Sequence, residues 1–234
     1  ALWAGIWVCI GGVCGLGNTK LAKSGAGHLR PDEGRVFYAL DGIGNGTPRD
    51  VLALPEPELR RLMRTDWAFV HQNPRDGLRL GVSAGANVGE RLMATGARHY
   101  GKIREAALDW LDRVEIPADR IDDRPASFSG GMQQRLQIAR NLVTGPRLVF
   151  MDEPTGGLDV SVQARLLDLI RRLVRELGLA AIVVTHDLAV VRLLADRLMV
   201  MKDGRVVEAG LTDQVLDDPQ HAYTQLLVSS VLQV

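Results

Sequence analysis

Short apolar runs, each bounded by glycine or by polar residues, recur along the chain and predict buried strands. They are GIWVCI at residues 5–10, GRVFYAL at 34–40, WAFVHQ at 67–72, RLVFMDEP at 147–154 and LAAIVVTHD at 179–187. The residues DGIGNG predict a turn after the second run, and RLMVMKDGRVVEAG predicts a hairpin that turns at Asp203 and Gly204. Uninterrupted apolar runs are typical of strands that are covered on both faces of a parallel sheet.

Apolar residues recur at helical spacing between these runs. The spacing predicts helices at residues 19–28, 56–64, 87–116 and 161–178, another through MQQRLQIARNLV and one over LAVVRLLADR. Strands that alternate with helices indicate an α/β fold with a parallel sheet. Since ligands bind beyond the carboxyl ends of such strands, we expect the polar residues at these ends, Gln72, Asp152, Glu153 and His186, to gather at one edge.

The glycine-rich stretch Gly11–Leu21 (GGVCGLGNTKL) has the outline of a phosphate-binding loop, G-x-x-x-x-G-K-[ST]. The two glycines that the pattern requires are Gly12 and Gly17, which have the correct spacing, and Thr19 holds the position of the Mg²⁺-binding hydroxyl. Asn18 stands where the lysine is required. The backbone N–H groups can still surround a phosphate, but the positive charge is lost.

Three further stretches are candidates for phosphate chemistry. Asp152 at the end of a strand suits Mg²⁺, and Glu153 is placed to orient or deprotonate a water; the alternative is an exposed acidic strand end. Ser129 precedes a helix whose glycines would admit a phosphate, or it is a simple N-cap. His186 would hydrogen-bond a terminal phosphate, or it is a strand-end histidine satisfied within the fold.

Composition limits the class of protein. The 234 residues have a formal net charge of zero, 46% hydrophobic and 24% charged residues, which is ordinary for a soluble globular chain and argues against a bulk electrostatic grip on nucleic acid. Two cysteines are too few for a disulfide framework and predict free thiols in a reducing, cytoplasmic compartment. The uncharged first 19 residues are interrupted by glycines and lack a basic start, which argues against a signal peptide or membrane span.

Taken in chain order, these motifs resemble the ABC-type ATPases. The resemblance rests on the glycine loop, a Q-loop glutamine at Gln72, the signature FSGGM at 128–132, a Walker B strand LVFMDE at 148–153, a D-loop GLD at 157–159 and a switch histidine at His186. It covers nearly the whole chain from Gly12 onward, although that signature more often begins with leucine and ends with glutamine.

The resemblance implies a P-loop NTPase core with a parallel sheet and a helical subdomain. Within a single domain, 1–234, we expect residues 1–73 and 146–204 to form the α/β core, 74–145 the helical signature subdomain and 205–234 a C-terminal hairpin and tail. It also implies a head-to-tail dimer with a second such domain, in which ATP lies between the P-loop of one protomer and the signature of the other.

The roles of individual residues follow from the resemblance and are expectations for this chain. ATP and Mg²⁺ are the expected ligands; Glu153 is the expected base, with His186 and Gln72 beside it. The residues expected to bind the phosphates are Gly12, Gly15, Gly17, Asn18 and Thr19. Those expected to contact the partner's ATP are Ser129, Gly130, Gly131 and Asp159, and those expected to bind Mg²⁺ are Thr19, Gln72 and Asp152.

A narrower resemblance links the chain to the ATP-binding proteins of the bacterial phosphonate carbon–phosphorus lyase system. It rests on RTDWAFVHQNPRDGLR, GERLMATGARHYG, EIPADRIDD and the C-terminal third. It implies a partner in the lyase core complex and makes a membrane permease the less favoured one. DDPQHAYTQLLVS also resembles the ATPases of oligopeptide importers, the first alternative, and a non-hydrolysing docking module is the second.

Three departures from the family bear on activity. Asn18 predicts weaker ATP binding and slower hydrolysis, and Lys20 should point away from the lysine position. The family's upstream strands, with an aromatic residue that stacks on adenine, are missing from this sequence. The sequence also lacks an initial methionine, as expected of a fragment or a processed product. Residues 16–51 resemble the family less than 60–234 do, as expected of a damaged reading frame or of a divergent protein.

Overall fold

The computed structural model describes residues 6–12, 17–39 and 48–231. Its strands are β1 (Trp7–Gly11), β2 (Phe37–Ala39), β3 (Pro48–Asp50), β4 (Trp67–Val70), β5 (Leu148–Asp152), β6 (Ala180–Thr185), β7 (Arg197–Lys202) and β8 (Arg205–Leu211). Its helices are α1 (Asn18–Gly25), α2 (Glu56–Thr65), α3 (Pro74–Gly77), α4 (Ala84–Ala94), α5 (Tyr100–Arg113), α6 (Gly130–Leu142), α7 (Val160–Leu177), α8 (Leu188–Leu194), α9 (Thr212–Asp217) and α10 (Ala222–Val231).

Six strands form one sheet in the order β4-β5-β6-β1-β7-β8. All neighbours are parallel except β8, which runs antiparallel to β7. The strand β1 is central: Trp7 pairs with Ala181 of β6, and Val8 pairs with Arg197 of β7. The predicted α/β fold with a parallel sheet is therefore confirmed.

The sheet is covered on both faces, as its uninterrupted apolar strands predict. Every residue of β4 and β5 is buried. In β5, Val149 and Met151 join the larger apolar cluster, whereas Leu148 and Phe150 join the smaller one on the other face. The larger cluster continues into α4–α7, with fully buried leucines at 111, 136, 166 and 173. No helix within the described ranges is long and apolar enough to span a membrane.

The hairpin of β7 and β8 is confirmed, with Asp203 and Gly204 at φ 49° and 75°, the left-handed pair that a tight two-residue turn needs. Residues 87–116 do not form one helix, because α4 ends at Ala94 and α5 begins at Tyr100. The break follows local chemistry: Gly96 has φ 110°, and the His99 ring accepts a hydrogen bond from the Lys102 N–H at 3.2 Å as the cap of α5.

Other predicted elements are shorter than expected, and β3, α3, α9 and α10 were not predicted. Of the predicted strand 34–40, the described residues form a strand only at β2, which pairs with β3, and the predicted turn after it lies outside the described residues. The helix predicted at 19–28 ends at Gly25, since Gly27 at φ 73° turns the chain away. The tail carries α9 and α10. Between β4 and β5 the described chain is helical, as α3–α6; the division into subdomains stays a prediction.

Candidate nucleotide site

The turn between β1 and α1 can accommodate only glycine at two positions. A Cβ on Gly12 would lie 2.6 Å from the Met201 backbone oxygen, a clash that no side-chain movement relieves. Gly17 has φ 94° and offers no side chain to cap α1. The first N–H groups of α1 therefore have no side-chain cap, which is the usual arrangement of an anion site. Gly15, also predicted to bind phosphate, lies outside the described residues.

Asn18, the first residue of α1, is buried inside this turn with 8% of its surface exposed. Its amide lies against the start of the turn, because a Cβ on Gly12 would come within 3.3 Å of Nδ2. Among the described residues, the buried Oδ1 atom has no hydrogen-bond partner. Lys20 is exposed, in keeping with the expectation that its ammonium group does not occupy the lysine position.

Thr19 and Asp152 meet where α1 begins and β5 ends. The Thr19 hydroxyl donates a hydrogen bond of 2.8 Å to Asp152 Oδ1, and Asp152 is only 4% exposed. Hydroxyl and carboxylate oxygens are ligand types that Mg²⁺ prefers. The described residues contain no cluster of three or more His, Cys, Asp or Glu that could hold a metal ion. The pair therefore fits an Mg²⁺ ion whose other ligands are phosphate and water oxygens, and not a site in which the protein supplies every ligand.

The ends of β4, β5 and β6 bring together a second cluster. Gln72 Nε2 donates to Glu153 Oε2 at 3.1 Å, and His186 Nδ1 lies 2.9 Å from Glu153 Oε1. The His186 side chain is 56% exposed and that of Glu153 is 16% exposed, so the carboxylate is shielded while the imidazole faces solvent. The prediction that these strand-end residues gather at one edge of the sheet is confirmed.

Glu153 has an unusual backbone conformation. Its φ of 42° lies in the left-handed region, which costs a non-glycine residue about 1–3 kcal/mol. Two backbone hydrogen bonds of 2.9 Å hold it there, from the Glu153 N–H to Val184 O and from the Gly156 N–H to Glu153 O. The strain turns the side chain out of the sheet at the point where β5 ends, which is consistent with a functional site.

The predicted signature residues lie at the start of α6. Ser129 caps this helix, with its Oγ accepting a hydrogen bond of 3.3 Å from the Met132 N–H. Ser129 and Gly130 are exposed, whereas a Cβ on Gly131 would lie 2.8 Å from Val162 Cγ1 of α7. The glycine therefore lets α6 approach α7 closely, and the capped end of α6 faces solvent.

Asp159 occupies the N-cap position of α7 without capping it. Its side chain makes no cap hydrogen bond and is exposed, although aspartate is among the best capping residues. Beside it, a groove of about 260 Å³ is lined by Gln72, by the glycines at 130, 156 and 157, and by Phe128 and Leu158. The groove joins the Q-loop, the signature and the D-loop, but neither Thr19 nor Glu153 lines it.

Gln137 was missed by reasoning from the sequence alone, yet it ties the helical segment to this edge of the sheet. It is fully buried in α6; its Oε1 accepts from the His71 N–H at 2.6 Å, and its Nε2 donates to His71 O at 3.1 Å. Gln134 Nε2 donates to the same carbonyl at 3.3 Å. The residue directly before Gln72 is thus clamped from the helix that begins at the signature.

A cavity of about 320 Å³ lies on the other side of this clamp and contains none of the predicted site residues. The rings of His28, Phe69 and His71 form a cluster, with Phe69 at centroid distances of 4.7 Å from His28 and 4.8 Å from His71. Burial lowers the pKa of both histidines; for His28 the nearby His71, Lys23 and Arg91 add to the effect. The histidines of this cavity are therefore kept neutral around pH 7.

Comparison with known proteins agrees with this geometry. The sequence profile of the ABC transporter family matches residues 1–156. The chain is 66% identical over 232 residues to the phosphonates utilization ATP-binding protein PhnK of Escherichia coli (strain K12), covering 99% of this chain and 89% of that protein. It is 36% identical over 220 residues to the dipeptide transport ATP-binding protein DppF of the same strain, covering 92% of this chain and 63% of that protein.

Among solved structures, the fold resembles the ATP-binding cassette MJ0796, in a dimeric post-hydrolysis state bound to ADP and Pi. The TM-score is 0.78 at 29% sequence identity, over 91% of this chain and 88% of that one. The overall fold is thus shared with a nucleotide-binding protein. The chain belongs to the ABC transporter family of ATP-binding proteins.

Proposed function

We propose that the chain binds Mg²⁺–ATP and hydrolyses it slowly to ADP and phosphate. The observation that carries this proposal is the convergence of Glu153, Gln72 and His186 at the strand ends, next to the Thr19–Asp152 pair. In this proposal Gly12, Gly17 and the N–H groups of α1 bind the phosphates. An acidic strand end without a function would not require a strained glutamate hydrogen-bonded on both carboxylate oxygens.

Glu153 acts as the base in this proposal. A water positioned by the Gln72 amide attacks the γ-phosphorus, its proton passes to the Glu153 carboxylate, and the bond between the γ-phosphorus and the bridging oxygen breaks to release ADP. Both Glu153 oxygens already accept a hydrogen bond when His186 carries its proton on Nδ1. These two hydrogen bonds orient the carboxylate before the water arrives.

Thr19 and Asp152 hold the divalent ion in this proposal, with Gln72 as a further oxygen ligand. Bound Mg²⁺ would withdraw charge from the phosphate oxygens. The hydrogen bond between the Thr19 hydroxyl and Asp152 Oδ1 keeps the two oxygens in place beforehand. The burial of Asp152 strengthens its interaction with any cation, since the local dielectric constant is low.

Asn18 sets the rate in this proposal. Its amide replaces an ammonium that would balance negative charge on the phosphates as the transition state forms. Losing one such electrostatic contact typically slows the chemical step by about 10²–10³. The exposed Lys20 does not compensate, so turnover should be low although the base is in place.

The proposed assembly is a head-to-tail dimer with a second domain of the same kind. Ser129 and Gly131 would contact the γ-phosphate of ATP held by the partner, and the uncapped Asp159 would face the partner across the interface. The exposed Ser129 and Gly130 and the exposed Asp159, which makes no cap hydrogen bond, support this arrangement, because all three are accessible to a partner. The domain division made from the sequence is part of the same proposal.

The proposed setting is a cytoplasmic one, with the phosphonate carbon–phosphorus lyase machinery as partner. Its support is the 66% identity to PhnK, against 36% to DppF. The alternatives are an importer ATPase that couples to a membrane permease and a docking module that holds nucleotide without hydrolysing it. Asn18 favours the docking module, whereas the Glu153 cluster favours the enzyme. Zero net charge gives no support to a nucleic-acid partner.

Steady-state ATP hydrolysis tests the enzyme proposal. We would compare the parent with Asn18→Lys, Glu153→Gln and the control Glu176→Gln, which alters an exposed glutamate on α7. We expect slow turnover that Asn18→Lys raises by about 10²–10³, that Glu153→Gln abolishes and that Glu176→Gln leaves unchanged. Equal rates in the parent and Glu153→Gln would refute the role of Glu153. A silent parent that Asn18→Lys activates would support the docking module.

The partner needs a separate experiment. The tagged chain would be purified from cells that express both the soluble lyase subunits and an oligopeptide permease. Co-purification with the lyase subunits, unaffected by Glu153→Gln, is the expected result. Recovery of the permease instead would select the importer alternative.

A further inference from the structure

A buried oxygen without a partner lies in the proposed phosphate site. Asn18 Oδ1 is shielded from solvent and accepts no hydrogen bond from the described residues. Burying such an acceptor unpaired is unfavourable, because its desolvation is not compensated by a hydrogen bond. Since the amide nitrogen lies towards Gly12, the oxygen is the unsatisfied atom of this side chain. The geometry therefore calls for a donor or a cation beside Asn18 Oδ1.

The same place lacks positive charge. Asp152 is buried, its Oδ1 accepts only from a neutral hydroxyl, and within residues 6–12, 17–39 and 48–231 it forms no ion pair with a lysine or arginine. Lys20 is exposed and Asn18 is neutral. An incoming ATP adds several negative charges, which one Mg²⁺ does not balance. A second cation beside Asn18 would satisfy both the charge and the unpaired oxygen.

We propose that Asn18 Oδ1 is the protein ligand of a monovalent cation, K⁺ or ammonium, which binds together with ATP and supplies the charge that a lysine would carry. This inference rests on the proposed function, because phosphate oxygens complete the coordination shell. Amide oxygens are ordinary ligands of hard cations. A single neutral protein oxygen suits a weakly held monovalent ion, and the Thr19–Asp152 pair, with its carboxylate, suits the divalent one. K⁺ and ammonium are similar in size to the ammonium group of lysine.

The test measures ATP affinity and not turnover. Equilibrium dialysis with labelled ATP and constant Mg²⁺ would be run in potassium, ammonium or choline chloride at equal ionic strength, so that general screening is the same. We expect ATP to bind at least about tenfold more tightly in K⁺ or ammonium than in choline, because a tenfold change needs only a modest interaction free energy. The parent chain alone gives this result, so the test does not depend on a variant that folds.

Two variants then locate the effect. Asn18→Lys carries its own charge, so its ATP affinity should be the same in potassium and choline and at least as high as that of the parent in potassium. Asn18→Leu keeps the size of the side chain but removes the oxygen, so it should bind weakly in both salts. Thermal melting of each variant checks that the fold is retained. A potassium effect that persists in Asn18→Leu would place the cation elsewhere and overturn the assignment.

The remaining outcomes separate this inference from the proposed function. Equal affinity of the parent in potassium and choline overturns the cation site and leaves ATP binding intact; a direct contact of the Asn18 amide with phosphate would give that result. A parent that binds no ATP in any salt, while Asn18→Lys does, also overturns it, because the ion then fails to replace lysine. If neither binds ATP, the proposed function fails and the cation site fails with it.

Discussion

Replacing Gln137 with leucine tests whether the clamp between α6 and the Q-loop is a main support of the site. The Gln137 side chain makes three hydrogen bonds, of 2.6 and 3.1 Å with the backbone of His71 and of 3.0 Å with Gln134 Oε1. Leucine is similar in size and apolar, so Gln137→Leu removes these bonds with little change in volume.

The expected cost follows from the groups that lose their partners. The His71 N–H and Gln134 Oε1 are left unpaired, whereas His71 O keeps the bond of 3.3 Å from Gln134. Each orphaned buried group costs about 1–3 kcal/mol, and the added apolar burial of leucine returns about 1 kcal/mol. Two orphaned groups cost about 2–6 kcal/mol together, so after the return from leucine we expect Gln137→Leu to lower the free energy of unfolding by about 1–5 kcal/mol.

Urea unfolding followed by far-UV circular dichroism measures this change. A matched control is Gln214→Leu, which alters an exposed glutamine on α9 and should stay within about 0.5 kcal/mol of the parent. A Gln137→Leu variant as stable as that control would mean that the clamp contributes nothing. A large loss in both variants would indicate that leucine itself is poorly tolerated on these helices.

Three further outcomes are expected. Gly131→Ala should lower the urea midpoint more than Gly130→Ala, because the new Cβ would lie 2.8 Å from a valine methyl of α7 in the first case and 3.6 Å from a leucine methyl in the second; equal midpoints would contradict the close packing. Burial lowers the pKa of His28, so the unfolded chain takes up the proton first, and the free energy of unfolding should fall as the pH drops below about 6.5. The urea midpoints at pH 7.5 and pH 5.5 should therefore differ less in His28→Gln than in the parent. An equal difference in both would contradict the role of His28. Burial raises the pKa of the Cys9 thiol to about 12, so in a Cys14→Ser variant iodoacetamide should label Cys9 at pH 8 only after unfolding, and rapid labelling of the folded chain would be inconsistent with its burial.

The parts of the site that lie at strand ends were predictable from the sequence. Asp152, Glu153 and His186 directly follow apolar runs, and a parallel sheet brings such ends to one edge, so their proximity required no knowledge of strand order. Ser129 as a helix cap was equally predictable, since serine followed by glycines and a periodic helix is a local signal. These predictions depend on chain neighbours and on one general rule of sheet geometry.

The parts that depend on which helix faces which strand were not predictable. In the sequence, Gln137 is one polar residue of an amphipathic helix. It hydrogen-bonds to the His71 backbone only because α6 packs beside the end of β4. The absence of a cap hydrogen bond from Asp159 to α7 could likewise not be predicted, because aspartate before a helix normally predicts a cap. The break between α4 and α5 was missed because apolar spacing continued across Gly96, where the left-handed backbone interrupts the helix.

The central place of β1 in the sheet also determines when the molecule can finish folding during its synthesis. Trp7 is synthesised long before its partners Ala181 and Asp196, which follow more than 170 residues later. Until then β1 has no neighbour on either side, and its apolar residues are an aggregation hazard that a chaperone would need to cover. Contacts so distant in sequence form slowly, since a long loop must close before they contribute. A nascent chain halted before β6 should therefore remain protease-sensitive at β1, even where α4–α6 have already packed together.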